Sequence, residues 1–249
     1  MAAPTAIDVA ANVAAVRVRI AEACARAGRD PVEVTLVAVS KGHPMALVRA
    51  AVEAGCVDLG ENRAQELLPK AVEAASAGLT PTPRWPKPRW PHPRWHFIGH
   101  LQRNKVREVL PHIVALHSLD SVDLLREIGR RSDSLGAGAP LPCYPLPCYL
   151  EVNVAGESQK QGVTPDALPG LLRAARDCEA IEVRGLMTVA PHLGDPEAVR
   201  PVFRALRALA RAHGLDGLSM GMTEDYPVAI EEGATMVRVG RAIFGARPG

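Results

Sequence analysis

The sequence predicts a closed (β/α)₈ barrel, a ring of eight parallel strands enclosed by helices. Three observations support this fold class: 249 residues suffice for one such barrel, strand-like and helix-like segments alternate along the chain, and the first strand-like segment is apolar on both faces. We therefore expect residues 1–249 to form a single domain. An open doubly wound sheet is the alternative, and it is weakened because no Gly-x-Gly-x-x-Gly pattern follows the first strand.

Eight short apolar segments are predicted to be the strands. The first, at 34–41, reads VTLVAVSK, which is typical of a buried parallel strand. The next five are predicted at 57–60, 95–99, 114–118, 149–154 and 183–189. The last two lie within glycine-containing stretches at 217–223 and 236–245. Eight units in one chain of this length favour closure into a barrel.

Helices are predicted before the first strand and between consecutive strands. The leading helix, at 7–26, has apolar residues at three-to-four spacing, with Asp8 in its first turn and Gly28 after its end. The others are predicted at 44–54, 62–75, 105–110, 121–131, 165–177, 196–212 and 225–232. Pro201 either kinks its helix or marks the true start. The leading helix can occupy the place of a helix after the eighth strand.

Cysteine spacing and the N-terminal sequence argue against several function classes, whereas net charge does not. The formal net charge is +2, which argues neither for nor against nucleic acid. The spacing of the five cysteines matches no zinc or Cys-x-x-Cys pattern. The N-terminus has no long apolar core of a signal peptide or membrane span. We expect a reduced, cytoplasmic, soluble protein that binds neither nucleic acid nor membrane.

Two short repeats precede the third and fifth strands. Pro-Arg-Trp occurs three times within 83–95, and Pro-Cys-Tyr occurs twice within 142–149. The basic and aromatic residues of the first repeat are compatible with a nucleic-acid surface. A proline-rich loop at the entry end of the strand is the interpretation we favour.

The two glycine-containing C-terminal stretches predict an anion site. Glycine lets backbone approach a bound group, and exposed N–H groups at such turns bind anions. Phosphates often bind in the loops after strands seven and eight of a barrel. The residues at those places are Ser219, Gly221, Thr223, Gly240 and Arg241. A ligand that carries a phosphate is the first hypothesis, and an ordinary pair of buried strands with tight turns is the alternative.

Barrel closure brings Lys41 and Arg238 into one predicted pocket. Lys41 ends strand one and Arg238 lies in strand eight, and neighbouring strands lie about 4.8 Å apart. An amine, a phosphate site and a fixed cation together suit pyridoxal phosphate, whose aldehyde forms a Schiff base with lysine. An arginine facing the ring nitrogen can only donate a hydrogen bond, so the ring would stay neutral and a poor electron sink.

Six motifs span nearly the whole chain: AVSK at 38–41, GENRAQE at 60–66, WHFIGHLQRNK at 95–105, GLMT at 185–188, LSMGMTED at 218–225 and VRVG at 237–240. Together they resemble one family, the pyridoxal phosphate homeostasis proteins of vitamin B6 metabolism. The resemblance implies a barrel like the N-terminal domain of alanine racemase. It implies pyridoxal phosphate on Lys41 and Arg238 facing the ring nitrogen.

The resemblance also implies the rest of the cofactor site. Ser219, Thr223, Gly240 and the backbone of Arg241 would contact the phosphate, and Asn62 and His100 would line the ring side. Position 241 often carries a small hydroxyl residue in the family, so the direction of the Arg241 side chain is open.

Two functions compete at this point. The first is a non-catalytic protein that buffers or delivers pyridoxal phosphate, with apo-enzymes as recipients and a monomeric state expected. The second is an amino-acid racemase that uses the same lysine. Related racemases, as the resemblance implies, take a second base from a tyrosine in a second domain, and we expect no such domain in this chain. The three tyrosines are Tyr144, Tyr149 and Tyr226. The sequence favours the binding role.

Overall fold

The computed structural model describes residues 7–79, 93–135 and 144–247, and its strands form one closed parallel barrel. Each strand pairs with its neighbours in the chain, and β8 closes the ring against β1. The eight strands are β1 (Thr35–Val39), β2 (Asp58–Glu61), β3 (Arg94–Phe97), β4 (Ala115–Leu119), β5 (Leu146–Glu151), β6 (Ile181–Met187), β7 (Gly217–Ser219) and β8 (Met236–Val239). The predicted fold class is confirmed, and the open-sheet alternative is wrong.

Helices surround the barrel in the predicted order, and a short helix that was not predicted follows β8. They are α1 (Val9–Arg26), α2 (Met45–Glu53), α3 (Ala64–Ser76), α4 (Val106–Val109), α5 (Val122–Leu135), α6 (Leu168–Arg176), α7 (Arg200–Ala212), α8 (Tyr226–Glu231) and α9 (Arg241–Phe244). The Asp8 side chain caps α1 by accepting a hydrogen bond from the Ala11 N–H. α1 packs against α2, α8 and α9, so it covers the seam where β8 meets β1.

Several boundaries differ from the predicted ones for identifiable reasons. β5 begins at Leu146 rather than at 149, because Pro147 is accommodated beside a register shift between Cys148 and Tyr149. Pro201 stands at the start of α7, after a 3₁₀ turn over Pro196–Val199, so it begins that helix and does not kink it. The remaining ends agree within a few residues.

Apolar side chains fill the layer between the strands and the helices, whereas the barrel interior is mixed. A small apolar group inside the barrel comprises Val37, Tyr149, Met187 and Met236. Buried polar side chains accompany it, among them His96, His117 and Arg238. Because buried polar groups are costly unless they are hydrogen-bonded, this interior is the first place to look for function.

The two repeats lie largely outside the described residues. The first two Pro-Arg-Trp copies fall entirely there, while the third contributes Arg94 and Trp95 to β3. The second Pro-Cys-Tyr copy lies within β5. In the described ranges, no helix has the length and apolar character needed to cross a membrane.

Candidate functional site

A cavity of about 350 Å³ opens at the carboxyl ends of the strands. Six of the predicted site residues line it: Lys41, Asn62, Thr223, Arg238, Gly240 and Arg241. Lys41 follows β1, Thr223 follows β7, and Gly240 follows β8, so three neighbouring strand exits meet at one place. The closure of the barrel therefore brings the predicted amine, cation and anion site together.

Lys41 is half-buried in the wall of this cavity. Burial lowers the pKa of its amine, because water no longer solvates the ammonium fully, and the nearby guanidinium groups of Arg247 and Arg238 lower it further. The carboxylates of Glu61 and Glu66 act in the opposite direction. The net effect increases the neutral, nucleophilic fraction of the amine.

A clamp formed by the side chains of Glu61, Glu66 and Lys70 holds the backbone on both sides of Lys41 by hydrogen bonds. Lys70 Nζ donates to the Ser40 carbonyl oxygen at 2.8 Å and to Glu61 Oε1 at 2.6 Å, and the Ser40 hydroxyl donates to the same Glu61 oxygen at 2.7 Å. On the other side, the Gly42 N–H donates to Glu66 Oε2. The sequence analysis missed this clamp, although Glu61 and Glu66 belong to a motif it singled out.

Arg238 lies at the floor of the cavity and is 4% exposed. Its Nη1 donates to the Ser219 hydroxyl at 2.7 Å, and its Nη2 donates to the Thr188 carbonyl at 2.9 Å. Burial lowers the pKa of Arg238 to about 10, opposed by the charges of Glu151 and Asp225. The group therefore remains a cation, and a donor only, at neutral pH.

Ser219 is placed differently from a cavity-facing phosphate ligand. Its side chain is fully buried in β7, and its hydroxyl lies between Arg238 Nη1 and His117 Nδ1, at 2.7 and 2.8 Å. The predicted direct contact between Ser219 and a phosphate stays a prediction. The arrangement makes Ser219 a support for Arg238, and the sequence analysis did not identify His117 as its partner.

The predicted anion end of the cavity lies at the turns after β7 and β8. Gly240 precedes α9, and the first N–H groups of a helix have no acceptor within it. A side chain at position 240 would crowd the Val39 carbonyl, since a Cβ there would lie 3.1 Å from that oxygen. The exposed Arg241 guanidinium forms an ion pair with Glu224 at 3.1 Å on the surface. The Arg241 backbone directly follows Gly240, at the start of α9.

Asn62 and His100 are not equivalent members of the site. Asn62 lines this cavity and also a neighbouring one of about 570 Å³. His100 lines only the neighbouring cavity, is about half exposed, and has Nδ1 3.4 Å from Asp120 Oδ2. Their predicted role beside a cofactor ring stays a prediction.

The three tyrosines lie away from the cavity lining. Tyr144 is exposed near the start of β5, and Tyr149 is buried inside the barrel against the His117 ring at 4.9 Å. Tyr226 packs beneath Arg19, whose guanidinium carbon lies 5.2 Å from the ring centroid. Among the residues that the structure describes, no tyrosine hydroxyl lines the cavity beside Lys41.

Comparison with known proteins identifies the family. A family model described as the alanine racemase N-terminal domain matches residues 11–248. The pyridoxal phosphate homeostasis protein of Pseudomonas aeruginosa is 42% identical over 241 residues, covering 96% of both chains, and that of Aquifex aeolicus is 40% identical over 92% of this chain and 94% of its own length. The chain belongs to the pyridoxal phosphate homeostasis protein family.

Solved structures agree with this membership of the homeostasis protein family. PipY of Synechococcus elongatus PCC7942, solved with PLP bound, has a TM-score of 0.75 at 30% identity and covers 95% of this chain and 100% of its own. A protein of Bifidobacterium adolescentis, described as unknown, has a TM-score of 0.80 at 34% identity over 95% and 94% of the two chains. Alanine racemase from Corynebacterium glutamicum shares the fold at 18% identity and a TM-score of 0.62, with 62% of its chain covered.

The side chains present fit the cofactor that gives this family its name. Pyridoxal phosphate presents an aldehyde, a ring nitrogen and a phosphate. In the described cavity these groups match, respectively, the Lys41 amine, the unused N–H groups of Arg238, and the Thr223 and Gly240 turns. We find no conflict between the donor set of the cavity and this ligand.

Proposed function

We propose that this protein binds pyridoxal 5'-phosphate on Lys41 and takes part in its homeostasis as a buffer or delivery protein. The observation that carries the proposal is the convergence of Lys41 and Arg238 on one cavity at the exits of β1 and β8. The names of the relatives and the cofactor bound to PipY support the same assignment.

Each residue has a defined task in this proposal. When bound, pyridoxal phosphate supplies an aldehyde that condenses with a primary amine and releases water. Lys41 provides that amine, whose lowered pKa makes the neutral form more available. Arg238 donates an N–H to the ring nitrogen, while the Thr223 hydroxyl and the N–H groups around Gly240 and Arg241 bind the phosphate.

The same geometry favours storage of the cofactor over catalysis. Arg238 remains protonated with a pKa of about 10, so it cannot give the ring nitrogen a full proton as a carboxylic acid can. Proton exchange on both faces of an amino acid needs a second base opposite the lysine. The positions of Tyr144, Tyr149 and Tyr226 do not supply one at this cavity. A racemase activity is therefore expected to be weak at most.

We further propose that one barrel spanning residues 1–249 performs this function as a monomer. The cavity is formed within the barrel and opens at the carboxyl ends of the strands. An apo-enzyme that accepts pyridoxal phosphate would take it from this mouth. Gel filtration at micromolar concentration tests the monomer, and transfer to an added apo-transaminase tests the delivery.

The central experiment is a titration of the purified protein with pyridoxal phosphate, followed by borohydride reduction and peptide mapping. We expect a new absorbance band, and a reduced cofactor mass on the peptide that contains Lys41. Lys41→Ala should abolish the covalent adduct, whereas the control Lys105→Ala, on the neighbouring cavity, should retain it. An adduct that survives in Lys41→Ala refutes the assignment. Robust turnover in an alanine racemase assay would refute the non-catalytic role.

A further inference from the structure

A continuous chain of hydrogen bonds runs through the barrel interior behind Arg238. Ser219 Oγ lies 2.8 Å from His117 Nδ1, His117 Nε2 lies 3.0 Å from His96 Nδ1, and His96 Nε2 lies 2.9 Å from Asp58 Oδ1. All of these side chains are buried, with exposures of 8% or less. The bond from Arg238 to Ser219 adds a fourth, and the four hydrogen bonds connect strands β8, β7, β4, β3 and β2 in that order.

With both imidazole rings neutral and Asp58 ionised, one set of directions satisfies every bond. Arg238 can only donate, so Ser219 Oγ accepts, and the single hydroxyl hydrogen of Ser219 is then free for His117 Nδ1. His117 must carry its proton on Nε2, which donates to His96 Nδ1. His96 in turn carries its proton on Nε2 and donates to Asp58. Both histidines are neutral in this arrangement, and each donor meets one acceptor.

The charges at the two ends are consistent with this direction. Burial, aided by the positive charge of Arg238, holds the pKa of His117 well below its ordinary value, which favours the neutral ring. Burial alone would raise the pKa of Asp58. The hydrogen bond from His96, together with the charge and the hydrogen bond of Arg94, outweighs it, so the pKa is lowered and the group is a carboxylate.

The series of hydrogen bonds ends at Asp58, at the opposite end of the barrel from the cavity. Asp58 is the first residue of β2, and Arg94, which pairs with it, is the first residue of β3. Arg94 belongs to the third Pro-Arg-Trp copy, and its side chain is partly exposed. The described part of this repeat thus anchors the interior chain of bonds to the entry face of the barrel.

We propose that Asp58, His96, His117 and Ser219 are positioning residues that hold Arg238 in one orientation toward the cavity. A guanidinium with two N–H groups committed to Ser219 and Thr188 presents its remaining N–H groups in a fixed direction. A reversal of any one tautomer would place two donors or two acceptors together. We call the hydrogen bonds that connect Arg238 to Asp58 the relay. The inference rests on the proposed function only in that Arg238 is taken to face pyridoxal phosphate, because the relay itself is present in the protein without cofactor.

The tautomers provide the first test. Two-bond ¹H–¹⁵N correlation spectra of the full chain, labelled in histidine and free of cofactor, report which ring nitrogen is protonated. We expect both His96 and His117 as neutral rings protonated at Nε2, with resonances assigned through their loss in His96→Gln and His117→Asn. A His117 ring protonated at Nδ1, or charged near neutral pH, overturns the relay. This readout is independent of whether pyridoxal phosphate binds.

A substitution at the far end provides the second test. Asp58→Asn keeps an acceptor oxygen for His96 but removes the charge, and Cys148→Ala is the control because it changes an equally buried strand residue outside the relay. We expect Asp58→Asn to shift the His117 ring nitrogens and to weaken pyridoxal phosphate binding about tenfold, the effect of one well-placed hydrogen bond. Cys148→Ala should do neither.

The outcomes separate the two proposals. Unchanged His117 resonances and unchanged affinity in a folded Asp58→Asn overturn the relay. If circular dichroism shows that Asp58→Asn is unfolded, the histidine tautomers of the unmodified protein alone decide whether the relay exists. If the unmodified protein does not bind pyridoxal phosphate, the proposed function fails while the tautomer result still stands.

Discussion

Lys70 donates a hydrogen bond to the Ser40 carbonyl oxygen across 2.8 Å, one residue before Lys41. The same ammonium contacts Glu61 Oε1 at 2.6 Å, and the Glu61 side chain is fully buried. A salt bridge of two buried charges thus supports the backbone that presents Lys41. Removal of one partner from such a pair is costly because the other is left buried without its counter-charge.

Lys70→Met is therefore expected to lower the free energy of unfolding by about 3–5 kcal/mol. It should also slow covalent attachment of the cofactor at Lys41, since the clamp around that residue is lost. Urea unfolding followed by circular dichroism measures the first effect, and borohydride trapping over time measures the second. The control is Arg49→Met, whose exposed pair with Glu73 spans 4.0 Å and should contribute less than about 1 kcal/mol. Equal losses in the two variants would contradict the clamp.

Arg247 lowers the pKa of Lys41 through its positive charge, second only to burial. Arg247→Ala should accordingly raise that pKa and reduce the neutral amine fraction at neutral pH. The pH dependence of acylation of Lys41 by a trace amine reagent, read by mass spectrometry, measures the change. Arg241→Ala is the matched control, because its guanidinium is paired with Glu224 on the surface. The interpretation fails if the Lys41 titration midpoint stays in place in Arg247→Ala or moves downward.

Sequence patterns predicted the strand order and the meeting of Lys41 with Arg238, because barrel closure makes β1 and β8 neighbours whatever their exact ends. They did not predict which way Ser219 points. A strand of three residues has too few alternations to fix its faces, and a slip of one residue exchanges them. The predicted place of His100 beside a cofactor ring stays a prediction, because His100 follows β3 in a loop, where no periodicity fixes the direction of a side chain.

The interior histidines were missed for a related reason. His96 and His117 lie in short strands, and a polar residue in a short strand does not reveal its partners. Their contact depends on the register between β3 and β4, which pairs His96 with Ala115. The position of His117 near Ser219, 102 residues away along the chain, becomes visible only once the barrel is closed.

The buried Glu151 carboxyl makes the free energy of unfolding depend strongly on pH. Burial, aided by Asp120 and opposed by Arg238, raises the pKa of its carboxyl from 4.5 to about 7. The folded state then binds more protons than the unfolded state between these values, so stability falls as pH rises from about 4.5 to 7. The free energy of unfolding falls by on the order of 3 kcal/mol over this range, and the loss is complete above about pH 7.

Glu151→Gln should remove this slope, since glutamine does not titrate. Chemical unfolding of the cofactor-free protein between pH 4 and pH 8 measures the difference between the variant and the unmodified protein. That difference should grow in favour of the variant as pH rises. Glu179→Gln, at an exposed position, is the control and should run parallel to the unmodified protein. A variant that loses stability with rising pH as steeply as the unmodified protein contradicts the assignment.

Gly221 forms the turn between β7 and α8, beside the proposed phosphate contact at Thr223. Its φ is +90°, and a Cβ there would lie 2.6 Å from Ala229 Cβ and 2.9 Å from Tyr226 Cα. Neither atom belongs to a flexible side-chain end, so the turn itself must move. Gly221→Ala should therefore destabilise the fold by about 2–4 kcal/mol and weaken pyridoxal phosphate binding at the same time.

The matched control for this substitution is Gly170→Ala in α6. A Cβ at Gly170 meets nothing within 4 Å, and alanine favours helix over glycine by up to about 1 kcal/mol. That variant should be as stable as the unmodified protein or slightly more so, with unchanged affinity. Thermal unfolding and cofactor titration of both variants give the comparison. Should Gly221→Ala bind pyridoxal phosphate as tightly as Gly170→Ala, the turn after β7 does not shape the phosphate end of the cavity.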